Sequence, residues 1–99
     1  MRETVVESAL RQKVKARGGE CYKLTAIRGI PDRLILLPGG IAAFAETKKP
    51  KDGRLSKIQM AIHRKLRKLG FRVYTIWETR EIKPVLDELQ RITDEVQTA

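Results

Sequence analysis

"GIPDRLILLPGGIAAFAETKKP", residues 29–50, has the outline of a β-hairpin. Two apolar runs, Arg33–Leu37 and Ile41–Lys48, flank Pro38-Gly39-Gly40, a short turn of the kind that closes hairpins. Side chains alternate across a strand. Glu46 and Lys48 therefore project to one side with Ala42 and Phe44, while Ala43, Ala45 and Thr47 point to the other. Pairing brings the start of one strand opposite the end of its partner, so Asp32 is expected close to Glu46. The first run is almost continuously apolar, which predicts burial on both faces.

Outward from the hairpin, residues 3–17 read as a helix, with Val6, Leu10 and Val14 at i, i+4 and i+8 and Arg17-Gly18-Gly19 as the stop. Glu3, Glu7, Leu10 and Val14 share one stripe, which sets Glu7 beside the apolar face. A short strand, Cys21–Leu24, follows. After the hairpin and a polar, basic loop, Ser56 is the predicted N-cap of a helix. That helix turns Ile58, Ile62, Leu66 and Leu69 inward and stops at Gly70. Phe71–Trp77 reads as a β-branched and aromatic strand. From Glu81 onward, Ile82, Val85, Leu86, Leu89, Ile92 and Val96 mark a long amphipathic helix with Pro84 in its first turn. The order α-β-β-β-α-β-α predicts an α/β sandwich around a small mixed sheet.

The chain has 99 residues, and one domain over residues 1–99 is the expected organisation. Its formal net charge of +9 favours an anionic partner, nucleic acid before an acidic membrane or protein. No apolar run approaches the roughly 20 residues that span a bilayer. Glu3 and Glu7 interrupt any signal-peptide h-region, so the expected location is intracellular. The lone Cys21 forms no internal disulfide and reads as a small packed strand residue, and no Cys/His cluster offers a zinc site.

Asp32 and Glu46 side by side would repel one another unless a cation neutralises them. A hard divalent ion such as Mg²⁺ suits an all-oxygen site of carboxylates, water and phosphate oxygen. Such an ion activates water and stabilises charge on a phosphate under attack, with Lys48 at hand to position that water. The competing reading is a strand-edge ion pair contributing about 0–1 kcal/mol. Gln59 stands three residues after Ser56, where it completes a capping box. Glu7 has Arg11 at i+4 as a surface partner. His63, one turn past Gln59, is expected to be solvated, and Tyr74 and Trp77 to pack within their strand.

Pro31-Asp32 followed by Glu46-Thr47-Lys48 resembles the PD-(D/E)XK nuclease signature. With "CYKLTAIRG" before it and "GRLSKIQMAIHRKLRKLGFRVYTIW" after it, the chain resembles the virus-type replication–repair nuclease (VRR-Nuc) domain in its stand-alone phage form. The likeness runs from about Glu3 to Trp77. It implies a restriction-endonuclease-like α-β-β-β-α-β-α core, a small mixed sheet flanked by helices. It also implies Asp32 and Glu46 as metal ligands, Lys48 as the catalytic lysine, Glu7 as the first-helix acid with Glu3 as its rival, and Gln59 near the site. Mg²⁺ or Mn²⁺ is the implied cofactor.

Basic residues gather around this segment. Lys23, Arg28, Arg33, Lys49, Lys51, Arg54 and Lys57 are the expected DNA-contacting set, with Arg64, Lys65, Arg67 and Lys68 beyond. No base-reading motif is present, so DNA shape is the expected determinant. The resemblance points to a homodimer cutting branched DNA, Holliday junctions above all. A flap or single-strand nuclease and a non-catalytic basic binding module are the alternatives.

Overall fold

The computed structural model describes residues 3–48 and 54–98, with the side chains of the last helix described through Ile92. Helix α1, Val5–Ala16, begins two residues later than the apolar spacing predicts because Thr4 caps it. The Thr4 hydroxyl accepts from the Glu7 N–H at 3.1 Å, and the Glu7 carboxylate faces back to the Thr4 N–H at 3.5 Å. The helix buries Val6, Glu7, Leu10 and Val14. Strands β1 (Glu20–Lys23), β2 (Arg33–Leu37) and β3 (Ile41–Thr47) form an antiparallel meander. Helix α2, Lys57–Lys68, then crosses over to β4, Arg72–Ile76, which runs parallel to β3. A parallel neighbour cannot be reached by a tight turn, and α2 supplies the crossover. A 3₁₀ turn at Thr79–Glu81 leads into α3, Ile82–Thr98. The sheet order is β1-β2-β3-β4, the mixed α/β architecture expected from the sequence.

The β2–β3 register is set at the turn, where Leu37 faces Ile41 across Pro38-Gly39-Gly40. Gly39 and Gly40 both adopt positive φ, 94° and 78°, which L side chains rarely tolerate. Counting back from the turn, Arg33 faces Ala45. One step further, Asp32 falls across from Glu46.

One face of the sheet, bearing Cys21, Ile35, Leu37, Ala43, Ala45 and Ile76, packs against Leu10 and Val14 of α1 and Ile82, Leu86 and Leu89 of α3. Ala43 and Ala45 of β3 are fully buried and let both helices approach closely. Arg17 ties the helices together, donating to Gln90 at 2.6 Å and pairing with Asp87 at 2.9 Å. The opposite face carries Phe44, Glu46 and Val73 and receives α2, with Phe44 and Phe71 edge to face at 5.7 Å between ring centres. Burial of β2 on both faces holds only in part. Ile35 and Leu37 are buried, but Leu34 and Leu36 are half-exposed because α2 lies toward the β4 side of the sheet. The buried side of β2 also takes in Arg33.

Between α1 and β1 the chain passes so close to β2 that a Cβ built on Gly19 would stand 2.1 Å from the Leu36 carbonyl oxygen. A backbone atom cannot yield as a flexible side-chain tip can. Gly19→Ala is expected to lower stability by about 2–3 kcal/mol. The effect should appear in urea denaturation as a lower midpoint with an unchanged slope.

Candidate active site

The open end of the β2–β3 hairpin holds the candidate groups. Asp32 stands just outside β2 and is locked to β3 by its side chain. One carboxylate oxygen accepts the Thr47 N–H at 2.8 Å and the other accepts the Thr47 hydroxyl at 2.6 Å. Its own carbonyl accepts the Leu24 N–H at 2.8 Å, which fixes the preceding loop. Glu46, across from it, is only 5% exposed, and its Oε1 has no hydrogen-bond donor. Burial, reinforced by the Asp32 charge and only partly opposed by Lys48, pushes the Glu46 carboxyl up to about 7. Lys48 follows two residues on, half-buried, and its backbone N–H donates to the Ile76 carbonyl at 2.9 Å. That bond carries the β3–β4 pairing past Thr47 and holds Lys48 on the Glu46 side.

A second acidic group lies at the N-terminal end of α1. Glu7 is 8% exposed and accepts from Arg33 Nη2 at 2.9 Å, while Glu3 accepts from the same nitrogen at 2.8 Å. Arg11 reaches back to Glu3 with two bonds of 3.2 Å. That contact holds the Glu3 carboxyl below its ordinary range. The i+4 partnership of Glu7 with Arg11 is therefore replaced: Arg11 serves Glu3, and Glu7 takes the buried Arg33. Glu7 is near enough to Glu46 to add to the upward push on its carboxyl.

No family model matches the chain. The fold superposes on a solved structure described as a VRR_NUC domain with a TM-score of 0.77 and 27% identity, covering 83% of this chain and 90% of that one. In sequence it is 33% identical over 88 residues to "Putative nuclease p44" of Acyrthosiphon pisum secondary endosymbiont phage 1, spanning 87% of this chain and 92% of the relative. The chain belongs to the VRR-Nuc family of nucleases.

A VRR-Nuc nuclease hydrolyses nucleic-acid phosphodiesters, and its fold implies a divalent metal ion. The residues of this VRR-Nuc chain fit such an ion through the Asp32–Glu46 pair. A buried carboxylate oxygen with no donor, beside a second carboxylate, is what a hard cation with oxygen ligands would complete. Among the described residues no group of three His, Cys, Asp or Glu gathers in ligand geometry. Glu7, the candidate third acid, is turned to Arg33. Gln59 is not drawn to the carboxylates either: its Oε1 accepts the Ser56 N–H at 2.9 Å, completing the capping box of α2.

Two sequence expectations for the VRR-Nuc site are overturned. Arg33, counted among the DNA-contacting cations, is 5% exposed, and its guanidinium is committed to Glu3 and Glu7. Strand alternation with Ile35 and Leu37 already carried that signal. His63, expected to be solvated, is 1% exposed, with Nε2 3.9 Å from Glu46 Oε1. Neither ring nitrogen has a hydrogen-bond partner. Burial, then the charges of Arg67 and Lys48, lower its pKa. Both shifts act against the charged forms of this pair. Lys23, Arg28, Arg54 and Lys57 are exposed as expected. Lys49, Lys51 and the Val96 side chain lie outside the described residues.

The raised Glu46 group makes stability depend on pH. The unfolded chain releases this proton near 4.5, whereas the folded chain keeps it to about 7. Folded protein thus binds the extra proton in that window, and stability falls as pH rises through it. Glu46→Gln is expected to match wild type near pH 4 and to exceed it by on the order of 2–3 kcal/mol at pH 8 in chelator. Melts at the two pH values check this; an equal gap at both would assign the effect to packing.

Proposed function

We propose that this chain is a Mg²⁺- or Mn²⁺-dependent endodeoxyribonuclease that cuts branched DNA, Holliday junctions preferentially, as a homodimer of one-domain chains. The observation that carries the reading is the donor-free, buried Glu46 oxygen across from Asp32, with Lys48 on the Glu46 side. Asp32 and Glu46 would hold the ion, and Glu7 would join them if Arg33 released it, with Glu3 as the rival acid. When bound, the ion supplies Lewis acidity at the scissile phosphate. Thr47 keeps the Asp32 carboxylate aimed, and Lys48 brings a cation to the same phosphate to orient the attacking water and offset developing charge. Water adds to phosphorus and gives up a proton to solvent as the ester P–O bond breaks, and the leaving oxygen takes a proton from solvent in turn. Gln59 would act on the site through the start of α2.

Lys23, Arg28, Arg54 and Lys57, together with Lys49 and Lys51, would neutralise phosphates without reading sequence. Two strands at a junction need two sites, and two identical chains supply them. No helix among the described residues is long and apolar enough to cross a membrane.

A panel of labelled four-way junction, flap and duplex DNA, each with Mg²⁺, Mn²⁺ or chelator, tests the substrate. Junction cutting with metal is expected, and faster flap cutting would move the assignment to a flap nuclease. Lys48→Ala should slow cleavage by about 10²–10³-fold while retaining binding; undiminished cutting would remove Lys48 from the chemistry. Mg²⁺ or Mn²⁺ should raise the melting temperature of wild type and not of Asp32→Ala. A light-scattering mass near that of one chain, 11.3 kDa, would rule out paired cutting.

A further inference from the structure

One side of α2 leads away from the carboxylates into a cavity of about 370 Å³ lined by Leu55, Met60, His63, Arg64 and Arg67. That volume falls within the range of about 300–1,000 Å³ typical of small-molecule sites. Leu55 and Met60 make its walls apolar. Arg64 and Arg67 are exposed at its rim. Its floor is His63, a side chain 99% buried whose two ring nitrogens both lack a hydrogen-bond partner. A buried imidazole left without partners is costly unless something else supplies them. Nε2 lies 3.9 Å from Glu46 Oε1, so this ring links the cavity to the carboxylates.

We propose that this cavity receives an unpaired nucleobase of the substrate strand beside the scissile phosphate. The inference rests on the nuclease reading and names what that site recognises. Two properties select a base over a phosphate. The apolar walls would not solvate a phosphate anion. The cations stand at the mouth, where the phosphates flanking an inserted base would lie. Arg67 is already pinned by a hydrogen bond of 2.9 Å to the Val73 carbonyl, so its planar guanidinium can stack on a base with little further ordering. Fully paired DNA cannot fill the cavity without unstacking a nucleotide, which costs a few kcal/mol. Strands at forks and junctions offer loosened bases more cheaply. Selectivity for branched DNA would then reside in this subsite, while the exposed lysines and arginines bind any duplex.

The test is binding of a forked DNA with unpaired arms, in chelator so that nothing is cut. It is compared with the same fork carrying abasic residues in the arm next to the branch. Wild type is expected to bind the base-bearing fork roughly 5- to 100-fold more tightly. In Met60→Ser, whose side chain is partly exposed and outside the core cluster, the ratio should fall to within about twofold of unity. Equal binding of the two forks by wild type, or an undiminished ratio in Met60→Ser, overturns the subsite. A chain that prefers bases yet cuts no DNA with Mg²⁺ or Mn²⁺ keeps the subsite and loses the nuclease reading.

Discussion

Two hydrogen bonds from Thr47 to Asp32 hold the open end of the hairpin. Asp32 lies outside β2, and these bonds tie its side chain directly to the end of β3. With them, the side chain does the work of a strand pair, and Asp32 stays across from Glu46. That proximity has an electrostatic consequence. Asp32 has a donor for each oxygen, whereas Glu46 has none for Oε1 and is pushed toward its protonated form. The more buried of two neighbouring carboxylates is thereby left unsatisfied in the folded protein. The structure supports this because the stabilising burial lies on the other face, in Leu10, Ile35, Ile76, Leu86 and their neighbours. An unsatisfied carboxylate and the core that stabilises the fold are divided between the two faces of one sheet.

Arg33 links these halves. Its position in β2 belongs to the core side, yet it carries a charge, and it is accommodated because Glu3 and Glu7 from α1 close over it. A buried cation of this kind is costly to leave unpaired and contributes little net stability when paired. What it does fix is orientation. It sets the N-terminal turn of α1 against the start of β2, so the position of Glu7 relative to the site is decided by an ion pair.

Much of the fold was legible because its signals are local. The Pro38-Gly39-Gly40 turn sets the register, the register sets Asp32 across from Glu46, and Ser56 with Gln59 announces the start of α2. Gly70 and Pro84 placed a helix end and a helix start. The misreadings share a different cause. Arg11 at i+4 was the nearest partner for Glu7 along the helix, but Arg33 is nearer in space. His63 looked like a solvated helix residue because nothing within a few positions shows that α2 lies over Glu46. Both depend on contacts between elements far apart in the chain, where charge and spacing alone have many solutions. The 3₁₀ turn at Thr79–Glu81 escaped notice because three residues carry no period.

The ends of the sheet bear on how two such molecules can meet. Strand β1 has four residues, three of them exposed, with Glu20 and Lys23 at its termini. At the other edge, a carbonyl of β4 at Val73 is already taken by Arg67. Short length, edge charge and an occupied acceptor are all devices that stop strands of neighbouring molecules from zipping together. The sheet therefore makes a poor template for edge-to-edge growth, and its backbone edges are held out of aggregation.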